Sequence, residues 1–248
     1  MLNIVIPMAG RGSRFATAGY TDPKPLIPVG EDPMIKVVID NLTPSRPHRF
    51  IFICQADHVA DYGLRDKLTH WAPGSQIVEL NGVTEGAACT VLTARDHIAE
   101  GPLMIANSDQ YVDASIDDYL SVMDEGYDGL IMTMYADDPK WSFVGFDEAG
   151  KVTRVVEKEV ISNEATVGIY NFSSGADFIR AADSMIEANQ RVNGEFYVAP
   201  VYNELVPEGY RIGISNVGRE ADGMYGLGTP SDLDLFKSLG MIERISAR

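Results

Sequence analysis

Short apolar runs alternate with amphipathic stretches through the first half of the chain. Each run is nearly continuous in apolar residues, which is typical of a strand buried on both faces of a sheet. The stretches between them repeat apolar residues at helical spacing. The predicted strands are NIVIPM, RFIFICQ, QIVEL, PLMIANSD and GLIMTMYA. This alternation predicts an α/β fold in which helices cover both faces of a mostly parallel sheet.

Four helices are predicted in this half, the last of them over SIDDYLSVMDEG. The first lies near residues 34–43, and the second covers residues 57–72 with Asp57 as its N-cap. The third covers residues 86–99. Its buried face is predicted to consist of Ala88, Val91, Leu92, Arg95 and Ile98.

The second half of the chain is more mixed. SFVGFDEAGKVTRVVEK predicts two strands around a turn at residues 147–150, and TVGIYNFSS and RIGISNV predict two more strands. Helices are predicted for GADFIRAADSMIEANQR, for FYVAPVYNELV despite Pro200, and for SDLDLFKSLG with Ser231 as a cap. No linker or internal repeat interrupts the chain, so we expect one domain over residues 1–248.

The composition is that of an ordinary globular protein: 45% of the 248 residues are hydrophobic and 23% are charged. No apolar run is long enough to span a membrane, and the N-terminus lacks the pattern of a signal peptide. Cys54 and Cys89 are too few for a disulfide framework, and we expect both to be buried thiols. These features predict a cytoplasmic protein.

The formal net charge of −16 argues against nucleic acid or an anionic membrane as a partner. The charge is uneven, because residues 1–49 carry six Lys and Arg against four Asp and Glu. A local basic patch on an acidic protein suits a small anionic ligand.

A glycine-rich segment, PMAGRGSRF, follows the first predicted strand at residues 7–15. It does not match the P-loop pattern. Gly10 and Gly12 fit the dinucleotide fingerprint, but Phe15 stands where its third glycine belongs. The second strand ends in Gln55 rather than in an acidic residue, so a dinucleotide is not the expected ligand.

A loop that grips a polyphosphate explains this segment better. Gly10 and Gly12 permit positive φ and close backbone approach, so that amides can point at phosphate oxygens. Arg14 adds a planar guanidinium to the same site. Lys24 follows within DPKPLIPV, where a proline on each side stiffens the segment that delivers its ammonium.

Together, PMAGRGSRF and PKPLIPVG resemble the sugar-phosphate nucleotidylyltransferases, also called nucleoside-diphosphate-sugar pyrophosphorylases. Further matching segments follow in the family's order: TEGAACTV, IANSDQYV, VVEK, ATVGIYNF, NGEFYVAPVYNELV and GLGTPSDL. The resemblance implies a three-layer α/β/α, Rossmann-like domain with a mixed, mostly parallel central sheet. It also implies a nucleotide-binding half at residues 1–135 and an acceptor-binding half at residues 136–248.

The family reaction joins a nucleoside triphosphate to a phosphorylated acceptor and releases pyrophosphate. The resemblance implies catalytic roles for Arg14, which would hold the triphosphate, and for Lys24, which would bridge the two reacting phosphates. The nucleotide-binding residues that it implies are Ala9, Gly10, Gly12, Asn81 and Gly86. The acceptor-binding residues that it implies are Glu157, Lys158, Glu195 and Tyr197.

Mg²⁺ is the cofactor that the resemblance implies, with Asp109 as a ligand at the end of a predicted strand. Many family members carry a second metal-binding Asp where this chain has Gly226. Asp222, four residues earlier, is one replacement; the other possibility is that Asp109, water and phosphates hold the ion alone.

The resemblance favours a pyrimidine nucleotide and a sugar 1-phosphate as substrates. A cytidylyltransferase that uses CTP and a non-sugar phosphate such as phosphocholine is the alternative, because the acceptor side is both aromatic and acidic. A catalytically weak nucleotide-binding protein is a third possibility, against which the presence of Arg14, Lys24 and Asp109 speaks. No hexapeptide repeat occurs, so we expect no left-handed β-helix of the kind some members carry. The oligomeric state stays open.

Overall fold

The apolar runs of the first half form strands at the centre of the molecule. In the computed structural model, which describes residues 1–246, the first strand directs Ile4 and Ile6 into one hydrophobic core and Val5 into another. All three side chains are fully buried. Because successive side chains of a strand point to opposite faces, cores on both sides require an apolar run without polar alternation.

The strands within the described residues form one main sheet and one small hairpin. The strands are β1 Leu2–Pro7, β2 Pro28–Val29, β3 Asp32–Pro33, β4 His48–Gln55, β5 Gln76–Leu80, β6 Leu103–Ala106, β7 Gln110–Val112, β8 Gly129–Tyr135, β9 Ser142–Phe146, β10 Val152–Glu157, β11 Glu164–Phe172, β12 Ile212–Glu220 and β13 Gly223–Gly226.

The helices are mostly short. They are α1 Ser13–Thr17, α2 Met34–Leu42, α3 Ala56–Tyr62, α4 Leu64–Trp71, α5 Ala87–Leu92, α6 Arg95–Ile98, α7 Ile116–Met123, α8 Gly175–Glu187, α9 Tyr202–Leu205, α10 Pro230–Ser238 and α11 Met241–Ser246. Single 3₁₀ turns lie at Lys24–Leu26, Ala199–Val201 and Val206–Glu208.

The main sheet has the order β5-β4-β1-β6-β11-β8-β12-β13-β7, and β9 and β10 extend it beside β11. In this sheet β5, β4, β1 and β6 run parallel to one another, and β8, β12 and β13 share their direction. Strands β11 and β7 run the other way. Helices α2, α3, α4 and α7 pack on one face, and α5, α6, α8 and α9 pack on the other. The predicted three-layer fold with a mixed, mostly parallel sheet is therefore confirmed.

The structure corrects two of the predicted helices. Residues 57–72 do not form one helix, because Gly63 adopts a left-handed conformation (φ 59°) between α3 and α4. The N-cap is Gln55, and Asp57 lies in the first turn. The helix predicted for residues 86–99 is divided into α5 and α6, and Arg95 is exposed and pairs with Asp183 instead of joining the buried face.

Three smaller predictions were also wrong in detail. Thr229, not Ser231, caps α10, since its hydroxyl accepts a hydrogen bond from the Asp232 amide. The segment around Pro200 forms successive short turns rather than one helix. Cys54 is buried as predicted, and burial raises the pKa of its thiol to about 12, but Cys89 is only half-buried.

The ends of the parallel strands define where a ligand is expected. Strands β1, β4 and β6 end at Pro7, Gln55 and Ala106 on the same edge of the sheet; a loop follows β1 and β6, and α3 follows β4 directly. In open α/β sheets this carboxyl edge is where ligands bind. No helix in residues 1–246 has both the length and the apolar character needed to cross a bilayer.

Candidate active site

The glycine-rich loop connects β1 to α1 at the carboxyl edge of the sheet. Gly12 is the N-cap of α1 and has a φ of 60°, whereas Gly10 does not have a positive φ. A Cβ at Gly12 would lie 2.9 Å from the Cβ of Lys24, so this glycine lets the lysine segment pack against the loop. A Cβ at Gly10 would meet no atom within 4 Å, which leaves open space there. Only Gly12 therefore adopts the positive φ that both glycines permit.

Lys24 opens the 3₁₀ turn Lys24–Leu26, and Pro23 before it holds φ at −60°. Its ammonium forms an ion pair with the carboxylate of Asp109, and both side chains are about one-quarter exposed. Arg14 is exposed, and none of the ion pairs among residues 1–246 includes it. The structure thus brings the predicted catalytic lysine to the predicted metal ligand and leaves the arginine available to a ligand.

Asp109 lies in the loop between β6 and β7, where the segment after β13 closes over it. The Leu227 amide donates a 2.7 Å hydrogen bond to the carbonyl oxygen of Asp109. A Cβ at Gly228 would lie 2.7 Å from the Asp109 carboxylate and 3.8 Å from the Lys24 ammonium. Gly228 therefore makes room for the ion pair.

A cavity of about 170 Å³ opens at this ion pair. The polar or glycine residues that line it are Gly10, Gly12, Lys24, Asn107, Ser108 and Asp109. A larger cavity that also contains a cation and carboxylates, Arg49, Asp96 and Glu100, lies at the opposite edge of the sheet, beside the starts of β1 and β4.

The structure does not bring Asp222 to Asp109. Asp222 is an exposed turn residue between β12 and β13, whose backbone pairs with Arg219. It lies four residues before Gly226, which pairs with Gln110, so about 13 Å of strand separates it from the cavity. The carboxylate that approaches Gly226 is that of Asp232, whose nearest atom lies 3.5 Å from where a Cβ would stand.

The predicted base-binding residues lie in two loops, after β1 and after β5. Ala9 is buried and Asn81 is exposed. Gly86 has a φ of 133° and a ψ of 174°, and a Cβ there would lie only 2.4 Å from the backbone oxygen of Phe196. Gly86 was predicted to be a nucleotide-binding residue, and the backbone of Phe196 fills the space where its Cβ would stand. The backbone amide of Phe196 also donates a 2.9 Å hydrogen bond to the backbone carbonyl oxygen of Glu85.

The contact between Gly86 and Phe196 places the predicted acceptor-binding residues next to the loop after β5. Lys158 follows β10 with a φ of 60°, and its ammonium lies 2.9 Å from the hydroxyl oxygen of Tyr197. Glu157, the last residue of β10, is buried and accepts a hydrogen bond from the Ser142 hydroxyl. Glu195 is exposed and lies close enough to influence both Glu157 and Lys158. The structure therefore brings all four predicted acceptor residues together.

The electrostatics of this group differ from those of free side chains. Burial raises the pKa of Glu157 above its ordinary value of 4.5, while Ser142 and Lys158 oppose this rise. The hydrogen bond to Tyr197, together with Glu157 and Glu195, raises the pKa of Lys158, which keeps it cationic. Because the folded protein binds the Glu157 proton more tightly than the unfolded chain does, this group's contribution to stability falls as the pH rises above 4.5.

Known proteins resemble this chain in sequence and fold. A family model described as nucleotidyl transferase matches residues 4–198, which is most of the chain. The chain belongs to the nucleotidyl transferase family. This membership confirms the family that the motifs indicated.

Individual relatives are more distant. The bifunctional protein GlmU of Methanococcus aeolicus is 23% identical over 237 residues, which are 94% of this chain and 53% of the relative. The low-salt glycan biosynthesis nucleotidyltransferase Agl11 of Haloferax volcanii is 23% identical over 84% of this chain and 58% of its own. This chain therefore spans about half the length of the curated relatives it matches.

A solved structure matches this chain over nearly the whole of its own length. The nucleoside-diphosphate-sugar pyrophosphorylase of Vibrio cholerae RC9 is 27% identical, with a TM-score of 0.81 over 94% of this chain and 99% of that protein.

Sequence reasoning missed three residues that shape the site. Gln55 served only to argue against a dinucleotide, yet its side chain joins two of the loops. Ser142 and Gly228 were not singled out, because each acts on a residue that is distant in sequence. The one sequence feature that could have pointed to Gly228 is its place in GLGTPSDL, the last of the segments that resemble the family.

Proposed function

We propose that this protein transfers a nucleotidyl group from a nucleoside triphosphate to a sugar 1-phosphate. An oxygen of the acceptor phosphate attacks the α-phosphorus, the bond from that phosphorus to the bridging oxygen of the β-phosphate breaks, and pyrophosphate leaves. The products are a nucleoside-diphosphate sugar and pyrophosphate. The observation that carries the proposal is the Lys24–Asp109 pair beneath the glycine-rich loop, on the carboxyl edge of the sheet. The sugar-nucleotide activities named for the relatives support the choice of acceptor.

This reaction needs charge neutralisation more than acid–base chemistry. A phosphate monoester has its second pKa near ~6, so the attacking oxygen is already ionised at neutral pH. Arg14 holds the triphosphate, and Lys24 leaves Asp109 to lie between the α-phosphate and the acceptor phosphate. Both cations stabilise negative charge where it accumulates in the transition state.

The residues at the ion pair suit a magnesium ion. Mg²⁺ prefers oxygen ligands and is held by one or two carboxylates together with substrate phosphates, and Asp109 supplies a carboxylate at the cavity. Within residues 1–246, no three His, Cys, Asp or Glu side chains converge as a metal-binding group, so phosphate oxygens would complete the site. When bound, Mg²⁺ would neutralise phosphate charge and orient the triphosphate.

The nucleotide half of the site lies in residues 1–135. The backbone of Ala9, Gly10 and Gly12 faces the nucleotide, and Asn81 pairs with the base through its amide. The resemblance to pyrimidine-using members favours a pyrimidine. Gly86 acts by holding the acceptor segment against this half, since the backbone of Phe196 fills its space.

The acceptor half, in residues 136–248, contributes one cation and several oxygen atoms. Lys158 binds the acceptor phosphate, and its hydrogen bond to Tyr197 directs its ammonium. Glu157 and Glu195 accept hydrogen bonds from sugar hydroxyls.

The test measures pyrophosphate release over a matrix of UTP, CTP, dTTP, ATP and GTP against sugar 1-phosphates and phosphocholine. Pyrophosphate release with a sugar 1-phosphate and a pyrimidine nucleotide is the expected result. Turnover of phosphocholine with CTP alone would favour the cytidylyltransferase instead. No turnover with any pair, despite nucleotide binding, would favour the catalytically weak binding protein.

Two substitutions distinguish a sugar from a cationic acceptor at the same residues. Glu157→Gln and Glu195→Gln each keep a group that accepts a hydrogen bond but lose the charge. The acceptor KM should rise only a few-fold for a sugar. For an amine it should rise more and depend on salt, because a neutral amide cannot pair with a cation. If neither substitution changes the acceptor KM, the acceptor does not bind at these residues.

A further inference from the structure

The last residue of β4 is a buried amide between two loops of the nucleotide site. Gln55 is 4% exposed, and β4 lies between β1 and β5 in the sheet. The loop after β1 contains Ala9, and the loop after β5 contains Asn81 and Gly82. Burying an amide is unfavourable unless its polar atoms find partners.

The side chain of Gln55 finds partners in both loops. Its Nε2 donates one hydrogen bond to the carbonyl oxygen of Ala9 and another, 2.7 Å long, to that of Gly82. Its Oε1 accepts a 3.3 Å hydrogen bond from the Gly82 amide. Gly82 has a φ of 94°, so this bonding also fixes a turn that is unusual for other residues. One side chain therefore connects the two loops.

We propose that Gln55 is a positioning residue that sets the distance between these loops and thereby the width of the slot for the nucleotide base. The inference rests on the proposed function, in which the Ala9 backbone and Asn81 contact the base. In that arrangement Gln55 is not itself a base contact, because its side chain bonds the Ala9 carbonyl oxygen and the backbone of the residue after Asn81. It acts through the two loops.

The triphosphate side of the site does not depend on this amide. None of the hydrogen bonds of Gln55 involves Arg14, Lys24 or Asp109. Changing Gln55 should therefore weaken binding of the nucleoside part of the ligand and leave phosphate binding intact. General damage to the fold would weaken both.

Gln55→Glu is the sharpest change, because it keeps the size of the side chain and removes both donors. An ionised carboxylate would face two carbonyl oxygens, and a protonated one would satisfy at most one of them. A net hydrogen bond contributes about 1 kcal/mol, and leaving a buried group unpaired costs ~1–3 kcal/mol. The loops should separate to relieve this contact.

Gln76→Glu is the matched control. Gln76 is exposed at the start of the neighbouring strand β5, and no side-chain hydrogen bond within residues 1–246 involves it. The control carries the same chemical change and the same added charge on the adjacent strand.

The experiment measures the affinity of the full chain for UTP, CTP and dTTP and for inorganic tripolyphosphate by calorimetric titration at one Mg²⁺ concentration. For Gln55→Glu, Kd for the nucleotide that binds the wild type best should rise about tenfold, the loss of roughly 1.4 kcal/mol. Kd for tripolyphosphate should stay within about twofold, as should both values for Gln76→Glu. Circular dichroism checks the fold, and Gln55→Met replaces Gln55→Glu if that variant does not fold.

Each other outcome contradicts a specific statement. Equal weakening of nucleotide and tripolyphosphate would overturn the positioning role, and so would unchanged nucleotide affinity in a folded variant. A wild-type protein that binds no nucleoside triphosphate would contradict the proposed function and this inference together. A wild type that binds it, with Gln55→Glu and Gln55→Met binding it equally well, would overturn the inference alone.

Discussion

Replacing Lys24 by methionine should move two measurable properties in opposite directions. In the protein without substrates, the Lys24 ammonium holds the Asp109 carboxylate, which is the group proposed to bind the metal. A divalent cation that binds before the nucleotide must therefore displace the lysine. Lys24→Met removes this competitor and keeps most of the side-chain volume. Metal binding to the free protein should improve while turnover falls.

The structure sets the size of both effects. The two side chains are 21% and 26% exposed, so solvent screens the pair and it is worth about 1 kcal/mol or less. Its removal should lower Kd for Mn²⁺ up to about fivefold. Turnover should fall about 10²–10³-fold, the usual consequence of removing one preorganised group that stabilises transition-state charge.

Electron paramagnetic resonance of free Mn²⁺ measures the first effect without substrates, and pyrophosphate release measures the second. Lys36→Met is the control, because Lys36 is a similarly exposed lysine that pairs with an aspartate, Asp40, on α2. The added affinity should vanish in the double variant Lys24→Met/Asp109→Asn, which separates this site from weak binding elsewhere on an acidic protein. Unchanged or weaker Mn²⁺ binding in Lys24→Met would refute the competition, and near-normal turnover would refute the catalytic role.

Three further substitutions test other contacts. Ser142→Ala should raise the pKa of Glu157 further, because the Ser142 hydrogen bond stabilises the carboxylate and the variant lacks it. The acid limb in a plot of acceptor KM against pH should then move to higher pH, and an unmoved limb would exclude this contact. Asp222→Asn should leave Mn²⁺ binding in the presence of nucleotide within about twofold, because about 13 Å of strand separates Asp222 from the cavity; a loss as large as that of Asp109→Asn would show that the turn residue reaches the metal. Gly86→Ala should cost about 1–3 kcal/mol in urea unfolding from backbone strain alone, and equal stability would contradict the close packing.

Local patterns in the sequence were sufficient for the fold and for the loop that opens the site. Buried strands such as β1 are continuous in apolar residues, and the order of strands and helices then restricts the topology. The helix limits were less predictable, because Gly63 could continue a helix or end it, and its left-handed conformation depends on the packing of α3 and α4. Resemblance to a family supplied the residues that are far apart in sequence, such as Lys24 and Asp109.

Contacts between distant side chains were beyond the sequence. In the sequence, Gln55 is only a poor match to a dinucleotide motif. In the structure, β4 lies between β1 and β5, and the side-chain amide of Gln55 contacts the loops that follow these two strands. Ser142 reads as an ordinary strand residue until the pairing of β9 with β10 sets it opposite Glu157. In both cases the register of the sheet, rather than the local sequence, gives the residue its partner.

The glycines of the site show the same dependence on tertiary structure. Sequence reasoning assigned Gly10, Gly12 and Gly86 to ligand contact, because a glycine allows a ligand to approach the backbone. In the structure, the protein itself occupies the space at two of them: Lys24 packs against Gly12, and backbone packs against Gly86. Only Gly10 of these three has open space at its missing Cβ. A side chain at Gly10 should therefore obstruct a ligand and spare the fold, whereas one at Gly12 or Gly86 should disturb the protein first.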